Sequence, residues 1–526
     1  MRDFHLPGRS AVYATNGMCA TSHPLAAKVA VQMLEAGGNA VDAGIAAAVL
    51  LGIAEPMMTG IGGDCFVLLK PAGSDEVIAL NGSGRAPAAQ TAAGLREKGL
   101  DRIPIRSVEA VTLPGAVDAF CRLSRDHGKI GLKASLAPAI YYAEAGVPVA
   151  PRTAFDWANN AGDLQGAARK FYLSGDKAPA VGQVFRHPEQ AEVLRRIAAE
   201  GRAGFYEGEV AEDMVRSLNA LGGQHSLADF SETTCNYTDP ISGSYRSVDL
   251  VEHPPNGQGA TAILLGNILS QFDLASMDPV GSERAHLEAE AAKLAYDARD
   301  RFVADPDMTS RLDHMLAPET AKKLAALIRM DKPMDLPRKL SETVHKDTVY
   351  LTVVDKDLMA VSLIYSIYHG FGSGLASEKF GINFQNRGAG FTLEEGHPNE
   401  LGGGKRPMHT IIPGMLRQAG RVFMPFGVMG GAYQPNGHIR FLSNMVDFGM
   451  HSQAAMDAPR SFSEDGTLKV ERGYSEKTRR ELADLGHKVV VPDGPIGGSQ
   501  AILIDYENGV LEGASDPRKD GCALGY

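Results

Sequence analysis

Apolar and polar positions recur with two different periods along the chain, and the change of period divides it into two parts. In the first part apolar residues recur at helical spacing, as in PLAAKVAVQMLE and AVDAGIAAAVLLGIA. Pro24 suits a first helical turn, glycines stop that helix after Glu35, and Asn39 can cap the next one. The second helix is apolar on every side, which predicts that it is buried.

Further along, SERAHLEAEAAKLAYDARDRF from Ser282 predicts a long helix whose alternating charges favour an exposed face. A polar segment with two prolines follows, from about Asp331 to Lys346, and we interpret it as a linker. Beyond it the pattern changes to strands and hairpins, such as TVYLTVV with LMAVSLIYSI and SQAILIDY with GVLEGAS. The sequence therefore predicts a helix-rich first part and a strand-rich second part.

The composition narrows the class of protein. With 526 residues, 44% hydrophobic and 22% charged, the chain is long enough for two domains or for one large core. A net charge of -11 without a basic block argues against a nucleic-acid partner. Five scattered cysteines favour reduced thiols. The beginning of the chain lacks a signal-peptide pattern, and its most apolar run is too short to cross a membrane. We therefore expect a cytoplasmic protein without a membrane partner.

Several common catalytic motifs are excluded. The stretch NELGGGKRP imitates a phosphate loop, but Asn399 stands at its first glycine position and Arg406 replaces the hydroxyl residue. No two of the fifteen histidines lie within four residues of each other, which excludes an HExxH zinc motif. No GxSxG motif is present. The sequence thus predicts neither a metal site nor a cofactor.

One strand begins abruptly with a threonine, Thr348, in the stretch KDTVYLTVVDKD. Threonine is a good strand residue, so an ordinary strand start is one interpretation. Cleavage of the Asp347–Thr348 bond would instead give Thr348 both a hydroxyl and a free α-amine. Such an amine has a pKa of about 7.7–8.0 and can accept the hydroxyl proton. The residues alone leave both interpretations open.

Longer stretches, in order over most of the chain, carry a resemblance. They include ATSHPLAAKVAVQMLEAGGNAVDAGIAAAVL, HPPNGQGATAILLGNIL, DTVYLTVVDKD, GFGSG, GKRPMHTIIP, VMGGA and GASDPRKDG. The chain thereby resembles the gamma-glutamyltransferase family of N-terminal-nucleophile hydrolases. The resemblance implies an α+β fold, a four-layer αββα sandwich built jointly by a large subunit (residues 1–347) and a small subunit (residues 348–526). It also implies self-cleavage between Asp347 and Thr348, with Thr348 as the nucleophile.

The resemblance assigns two further catalytic roles. Ser366 corresponds to a hydroxyl that orients the nucleophile, although it could be an ordinary strand serine. Gly430 and Gly431 correspond to the pair whose backbone N–H groups form the oxyanion hole, which suits glycine because the backbone must approach the substrate closely. A purely structural turn is the alternative for that pair.

The substrate pocket departs from the best-known members, which bind a γ-glutamyl group with an arginine, an asparagine, a glutamine, an aspartate and two adjacent serines. The corresponding positions here are Ser83, Tyr368, Arg387, Gly390 and the pair His409 and Thr410. Loss of the aspartate removes the partner of a substrate ammonium, and Arg387 adds a positive charge. Either Arg387 or Arg85 could bind a carboxylate bidentately, and a surface or subunit salt bridge is the alternative for each.

Two substrate classes follow from the resemblance. The first is a glutathione-type γ-glutamyl compound, hydrolysed or transferred to an amine through a Thr348 acyl-enzyme. The second is a small acid amide such as oxamate, hydrolysed with release of ammonia. Distant members of both kinds share the NGSGRAP pattern, and SIYHGFGSG resembles those that act on acid amides at least as much. A processed binding protein without activity is a third reading. In each case we expect a small-molecule ligand and a heterodimer of the two subunits, with pairing of two heterodimers left open.

Overall fold

The computed structural model describes residue 5, residues 8–335 and residues 348–526. Most of the predicted linker, and Asp347 on one side of the predicted cleavage site, lie outside these residues. Within the described ranges, no helix combines the length and apolarity needed to cross a membrane.

The β-strands are numbered in chain order. They are β1 (Val12–Ala14), β2 (Met18–Thr21), β3 (Asp64–Lys70), β4 (Ile78–Gly82), β5 (Val147–Pro148), β6 (Val184–Phe185), β7 (Asn236–Thr238), β8 (Ile241–Tyr245), β9 (Val248–Glu252), β10 (Val349–Val354), β11 (Ala360–Ser366), β12 (Gly414–Gln418), β13 (Arg421–Met429), β14 (Ser461–Glu464), β15 (Thr467–Val470), β16 (Val489–Val490), β17 (Gly498–Asp505), β18 (Val510–Ser515) and β19 (Cys522–Gly525).

The α-helices are numbered in the same way. They are α1 (Pro24–Glu35), α2 (Ala40–Ala54), α3 (Ala92–Glu97), α4 (Ala116–His127), α5 (Leu132–Ala145), α6 (Pro151–Asn160), α7 (Gly166–Tyr172), α8 (Pro188–Glu200), α9 (Ala203–Tyr206), α10 (Gly208–Ala220), α11 (Leu227–Ser231), α12 (Gly259–Leu269), α13 (Ser282–Phe302), α14 (Leu312–Leu316), α15 (Pro318–Ala325), α16 (Gln434–Val446), α17 (Ser452–Asp457) and α18 (Glu476–Asp484). Short 3₁₀ helices include Arg387–Gly390 and Gly431–Tyr433.

Two antiparallel sheets of seven strands form the centre of the described structure. The strand order is β1-β18-β17-β13-β12-β9-β8 in the first sheet and β19-β2-β10-β11-β3-β4-β7 in the second. Both sheets take strands from residues 8–335 and from residues 348–526. The two parts of the chain are therefore joined by backbone hydrogen bonds across each sheet.

Apolar side chains define the layers. Between the sheets, Met18 and Leu68 of the second sheet meet residues such as Val251, Met415 and Ile502 of the first. The outer face of the second sheet packs on a helical layer that includes α1, α2, α4 and α5. The outer face of the first sheet packs on α12, α13 and α16. The predicted four-layer α+β sandwich is confirmed.

The predicted N-terminal helices are also confirmed. Helix α1 begins at Pro24 and ends at Glu35. Helix α2 is buried along its whole length, and Asn39 and Asp42 form a reciprocal capping box at its start. The predicted ends of both helices and the predicted burial of α2 are therefore confirmed.

The prediction of an exposed face on α13 is wrong for most of the helix, although Glu283 and Arg301 near its ends are exposed. Its charged residues Arg284, Glu288, Glu290 and Lys293 are buried. Arg284 donates to Glu288 at 2.8 Å, and Arg440 of α16 donates to the same carboxylate at 2.6 Å. Buried charges persist when they are paired in this way, and the alternating charges along α13 reflect that pairing rather than contact with water.

Candidate active site

Thr348 lies directly before β10, close to the middle of the second sheet, and its side chain is 1% exposed. Its Oγ1 donates a hydrogen bond to Ser366 Oγ at 3.3 Å. Ser366 ends β11, and the antiparallel register pairs Val349 with Tyr365, which brings the two hydroxyls side by side. The strand pairing thus fixes both groups on rigid elements.

Arg387 is completely buried next to this pair. Its Nη2 donates to Ser366 Oγ at 3.2 Å and its Nη1 to Thr410 Oγ1 at 2.9 Å. Its Nε has no hydrogen-bond partner among the residues that the structure describes. Burial lowers the pKa of Arg387 to about 10, so the guanidinium stays charged at neutral pH.

The ring of Tyr368 packs against the guanidinium of Arg387. The guanidinium lies 4.0 Å from the centre of the Tyr368 ring, in cation–π geometry. The backbone N–H of Tyr368 donates to Ser366 Oγ at 2.8 Å, and its φ of +83° is a left-handed conformation that bulky residues rarely adopt. This conformation is what turns the chain at the end of β11 and brings ring and guanidinium together.

His409 and Asp64 form a buried pair behind Thr410. His409 Nε2 lies 3.1 Å from Asp64 Oδ2, and the His409 Nδ1 faces the backbone N–H of Ile411 at 3.4 Å. Burial and the Arg387 charge lower the pKa of His409 to about 3. The imidazole is therefore neutral, with its proton on the nitrogen that faces Asp64.

Asp64 accepts four hydrogen bonds. Its Oδ1 accepts from the backbone N–H of Gly84 at 2.8 Å, from that of Gly115 at 3.1 Å and from Gln385 Nε2 at 2.8 Å, whereas its Oδ2 faces His409. The carboxylate thus holds neighbouring loops in place.

Gln258 connects Thr410 to the glycine pair. Its Nε2 donates to the carbonyl oxygens of Thr410, at 2.6 Å, and of Gly431, at 3.0 Å. Gly430 has a φ of +129°, in the region that favours glycine, and follows the end of β13. The turn is thus tied to the same hydrogen-bond network as Thr410 and Arg387.

The two remaining predicted site residues, Ser83 and Arg85, contact other parts of the chain. Ser83 Oγ donates to Asn81 Oδ1 at 2.7 Å, and Asn256 Nδ2 donates to Ser83 Oγ at 3.2 Å. Arg85, whose side chain is 40% exposed, donates to the Gly404 carbonyl at 2.8 Å and lies 3.7 Å from Asp305. The contacts of Arg387 thus involve Ser366, Thr410 and Tyr368, whereas those of Arg85 involve a loop.

Sequence reasoning did not single out Asp64 or Gln258 as parts of the site. A charged residue at the start of an apolar strand, as Asp64 is in β3, is a usable signal. Gln258 lies in the stretch HPPNGQGATAILLGNIL that carries the family resemblance. Its role depends on two distant carbonyls, which no local pattern indicates.

Comparison with known proteins identifies the family. Residues 26–526 match the family model described as gamma-glutamyltranspeptidase. The chain belongs to the gamma-glutamyltranspeptidase family. It is an enzyme of the hydrolase and acyltransferase class with the N-terminal-nucleophile mechanism, as the resemblance predicted.

Three relatives of this family member are informative. The glutathione hydrolase-like YwrD proenzyme of Bacillus subtilis (strain 168) is 35% identical, over 98% of this chain and 99% of its own. The oxamate amidohydrolase proenzyme of Klebsiella pneumoniae subsp. pneumoniae is 34% identical with the same coverage. The crystal structure of a cephalosporin acylase from Bacillus halodurans matches with a TM-score of 0.92 and 37% identity, over 100% of this chain and 99% of that one.

Proposed function

We propose that the chain cleaves itself before Thr348 and then acts as an amidohydrolase with Thr348 as its nucleophile. Support comes from the position of Thr348 at a strand start and from its hydrogen bond to Ser366. The names of the two relatives as proenzymes agree with processing. After cleavage the two subunits would remain together, because each central sheet contains strands from both sides of Thr348.

The proposed reaction uses only groups of this chain. The α-amine of Thr348 accepts the proton of Oγ1 while that oxygen attacks the amide carbon, and the N–H groups of Gly430 and Gly431 stabilise the oxyanion. The resulting ammonium returns the proton to the leaving nitrogen as the C–N bond breaks. Water then attacks the acyl ester in the same way, releasing the acid and regenerating Thr348.

We propose as substrate a small amide that carries a carboxylate and no ammonium group. The observation that supports it most directly is Arg387, a buried cation whose Nε lacks a partner among the described residues and whose Nη2 contacts Ser366. A carboxylate is the natural partner of such a planar donor group. Bound there, it would hold the adjacent amide carbon near Thr348.

Two features argue against an α-ammonium in the same place. At the nearby carboxylate of Asp64, three donors occupy Oδ1, and an ammonium would have to share Oδ2 with His409. At Gly390, where the best-known members have an aspartate, a Cβ would lie 2.8 Å from the Met408 carbonyl oxygen. A side chain there requires the backbone to shift, so this position does not readily supply an anion.

The second candidate function is hydrolysis or transfer of a γ-glutamyl group. It is supported by the 35% identity to a relative named glutathione hydrolase-like. The acyl group is the point on which the two candidates differ, since both use the same nucleophile. The similarity to the cephalosporin acylase structure is compatible with either candidate function.

The experiment that separates them is a substrate panel for purified, processed enzyme. Ammonia release is measured with oxamate and other short dicarboxylic monoamides, and amine release with γ-glutamyl anilides and glutathione. We expect higher kcat/KM for the amine-free acid amides, with Thr348→Ala inactive on all of them. Efficient hydrolysis of glutathione with no turnover of any amine-free amide would support the second candidate instead.

A further inference from the structure

A cluster of potential metal ligands lies away from Thr348, on the outer helical layer. One ligand atom each from His286, Glu290 and His487 lies within 4.8 Å of the others. His286 and Glu290 belong to α13, and their spacing of four residues puts both on one face of the helix. His487 follows α18 and is a half-buried residue. Two imidazoles and one carboxylate are a ligand set that Zn²⁺ uses.

The hydrogen bonds of His286 leave the correct nitrogen available. Its Nε2 lies 2.7 Å from the Arg329 carbonyl oxygen and must donate to it, because a carbonyl only accepts. In the neutral ring Nδ1 then carries a lone pair, and this atom faces His487 Nε2 at 2.7 Å. Metal-binding histidines are typically held in this way, with the second nitrogen bonded to a carbonyl or carboxylate.

Glu290 is also supported by its neighbours. Its Oε1 accepts from Lys293 Nζ at 2.7 Å, and its Oε2 accepts from the backbone N–H of Met334 at 2.6 Å. Each oxygen keeps a lone pair, so a metal can bind while these contacts persist. Lys293 is a cation close to the site and therefore opposes the binding of a second cation.

We propose that His286, Glu290 and His487 bind one Zn²⁺ ion that links the two segments on either side of Thr348. The ion would have three protein ligands and a water, with entry from the exposed edge of His487. At Zn–N distances of about 2.0–2.1 Å, the two nitrogens of a tetrahedral site lie roughly 3.3 Å apart. Zn²⁺ would replace the hydrogen bond between His286 and His487: the His487 ring would carry its proton on Nδ1 instead of Nε2, and it would move by about half an ångström to reach that separation.

The site would also hold the stretch of chain that follows α15. The Arg329 carbonyl and the Met334 N–H, both in that stretch, contact His286 and Glu290. Zn²⁺ would thus hold this stretch against α13 and against His487, which lies after Thr348 in the chain. Removing the ion is expected to weaken the association between the two segments.

The test uses tag-free, full-length protein freed of metal with a chelator. Zn²⁺ binding is measured by competition with a chromophoric chelator, and Co²⁺ is added separately for its visible spectrum. We expect one ion per chain, a tetrahedral Co²⁺ spectrum, and a melting temperature that Zn²⁺ raises. In His487→Gln and in Glu290→Gln, affinity should fall at least ~10-fold, because even outer contacts of a metal site change affinity ~10–100-fold.

Two further variants sharpen the test. His314→Gln, at an exposed histidine, should bind Zn²⁺ as the wild type does. Lys293→Gln should bind it more tightly, since a competing cation is removed, whereas a purely structural cluster gives no such gain. The uncleaved Thr348→Ala protein should also bind, which separates this proposal from that of the reaction. No binding, or equal binding by wild type and His487→Gln, would overturn the proposal.

Discussion

Replacement of Arg387 by methionine tests the proposed substrate class most sharply. The guanidinium is buried, contacts Ser366 and Thr410, and is the group that we expect to bind the substrate carboxylate. Removing one partner of a buried, hydrogen-bonded charge pair costs about 2–5 kcal/mol. The expected loss in kcat/KM for an amine-free acid amide is therefore about 30- to 5,000-fold. Arg387→Lys keeps the charge but not the planar pair of donors, so its kcat/KM should lie between those of the wild type and of Arg387→Met.

The assay is steady-state ammonia release by protein whose cleavage has been checked on a denaturing gel, since Arg387 also contacts Ser366. Arg85→Met serves as the comparison. Its exposed contacts are of the kind worth ~0–1 kcal/mol, so kcat/KM should stay within about fivefold of the wild type. A large loss in Arg85→Met with little change in Arg387→Met would refute the assignment.

Four other results are expected. Ser366→Ala should slow both processing and turnover, read from the gel and from kcat, and unchanged rates would remove its orienting role. The kcat/KM of the processed enzyme should rise with pH, with an apparent pKa at or below about 7.7–8.0, because the Arg387 cation disfavours the ammonium form of the α-amine. It should fall again as Arg387 loses its proton near pH 10. A profile that is flat from pH 5 to 9 would contradict the α-amine as base. Asp64→Asn should lower the free energy of unfolding by about 3 kcal/mol, because an amide group would face donors, while Asp505→Asn at the surface should not. Acid should destabilise the fold below pH ~6.5, because burial lowers the pKa of His409 to about 3 and that of His253 to about 4, so the unfolded state takes up protons first. The free energy of unfolding should fall by up to ~1.4 kcal/mol per pH unit for each histidine. A melting temperature that is constant from pH 6.5 to 5 would contradict this.

Local patterns were sufficient where one element determines its own environment. Helix α2 is apolar on every side and capped by Asn39, and it is buried with the predicted bounds. Helix α13 also has the predicted bounds, but Glu288 and the charges beside it are buried, and Arg440, far along the chain, binds Glu288. Charge spacing indicates which residues can pair within a helix. It does not indicate whether a third residue closes over them.

The same limit applies to the candidate site. Thr348, Ser366 and Arg387 were predicted from the strand start and from the family resemblance, and the structure brings them into contact. The sequence did not predict the Asp64–His409 pair that lies behind Thr410, since these residues meet only when β3 and the loop before β12 come together. Contacts between distant loops are a property of the assembled sheets, and the sequence pattern of either loop does not contain them.

The central claim is that the chain cuts itself before Thr348. N-terminal sequencing and intact-mass analysis of purified protein test it directly. We expect two chains, residues 1–347 and residues 348–526, the second beginning Thr-Val-Tyr-Leu. Thr348→Ser, which keeps a hydroxyl, should still be cleaved, whereas Thr348→Ala should remain a single chain. A wild-type protein that stays intact, or a Thr348→Ala protein cleaved at the same bond, would contradict the account.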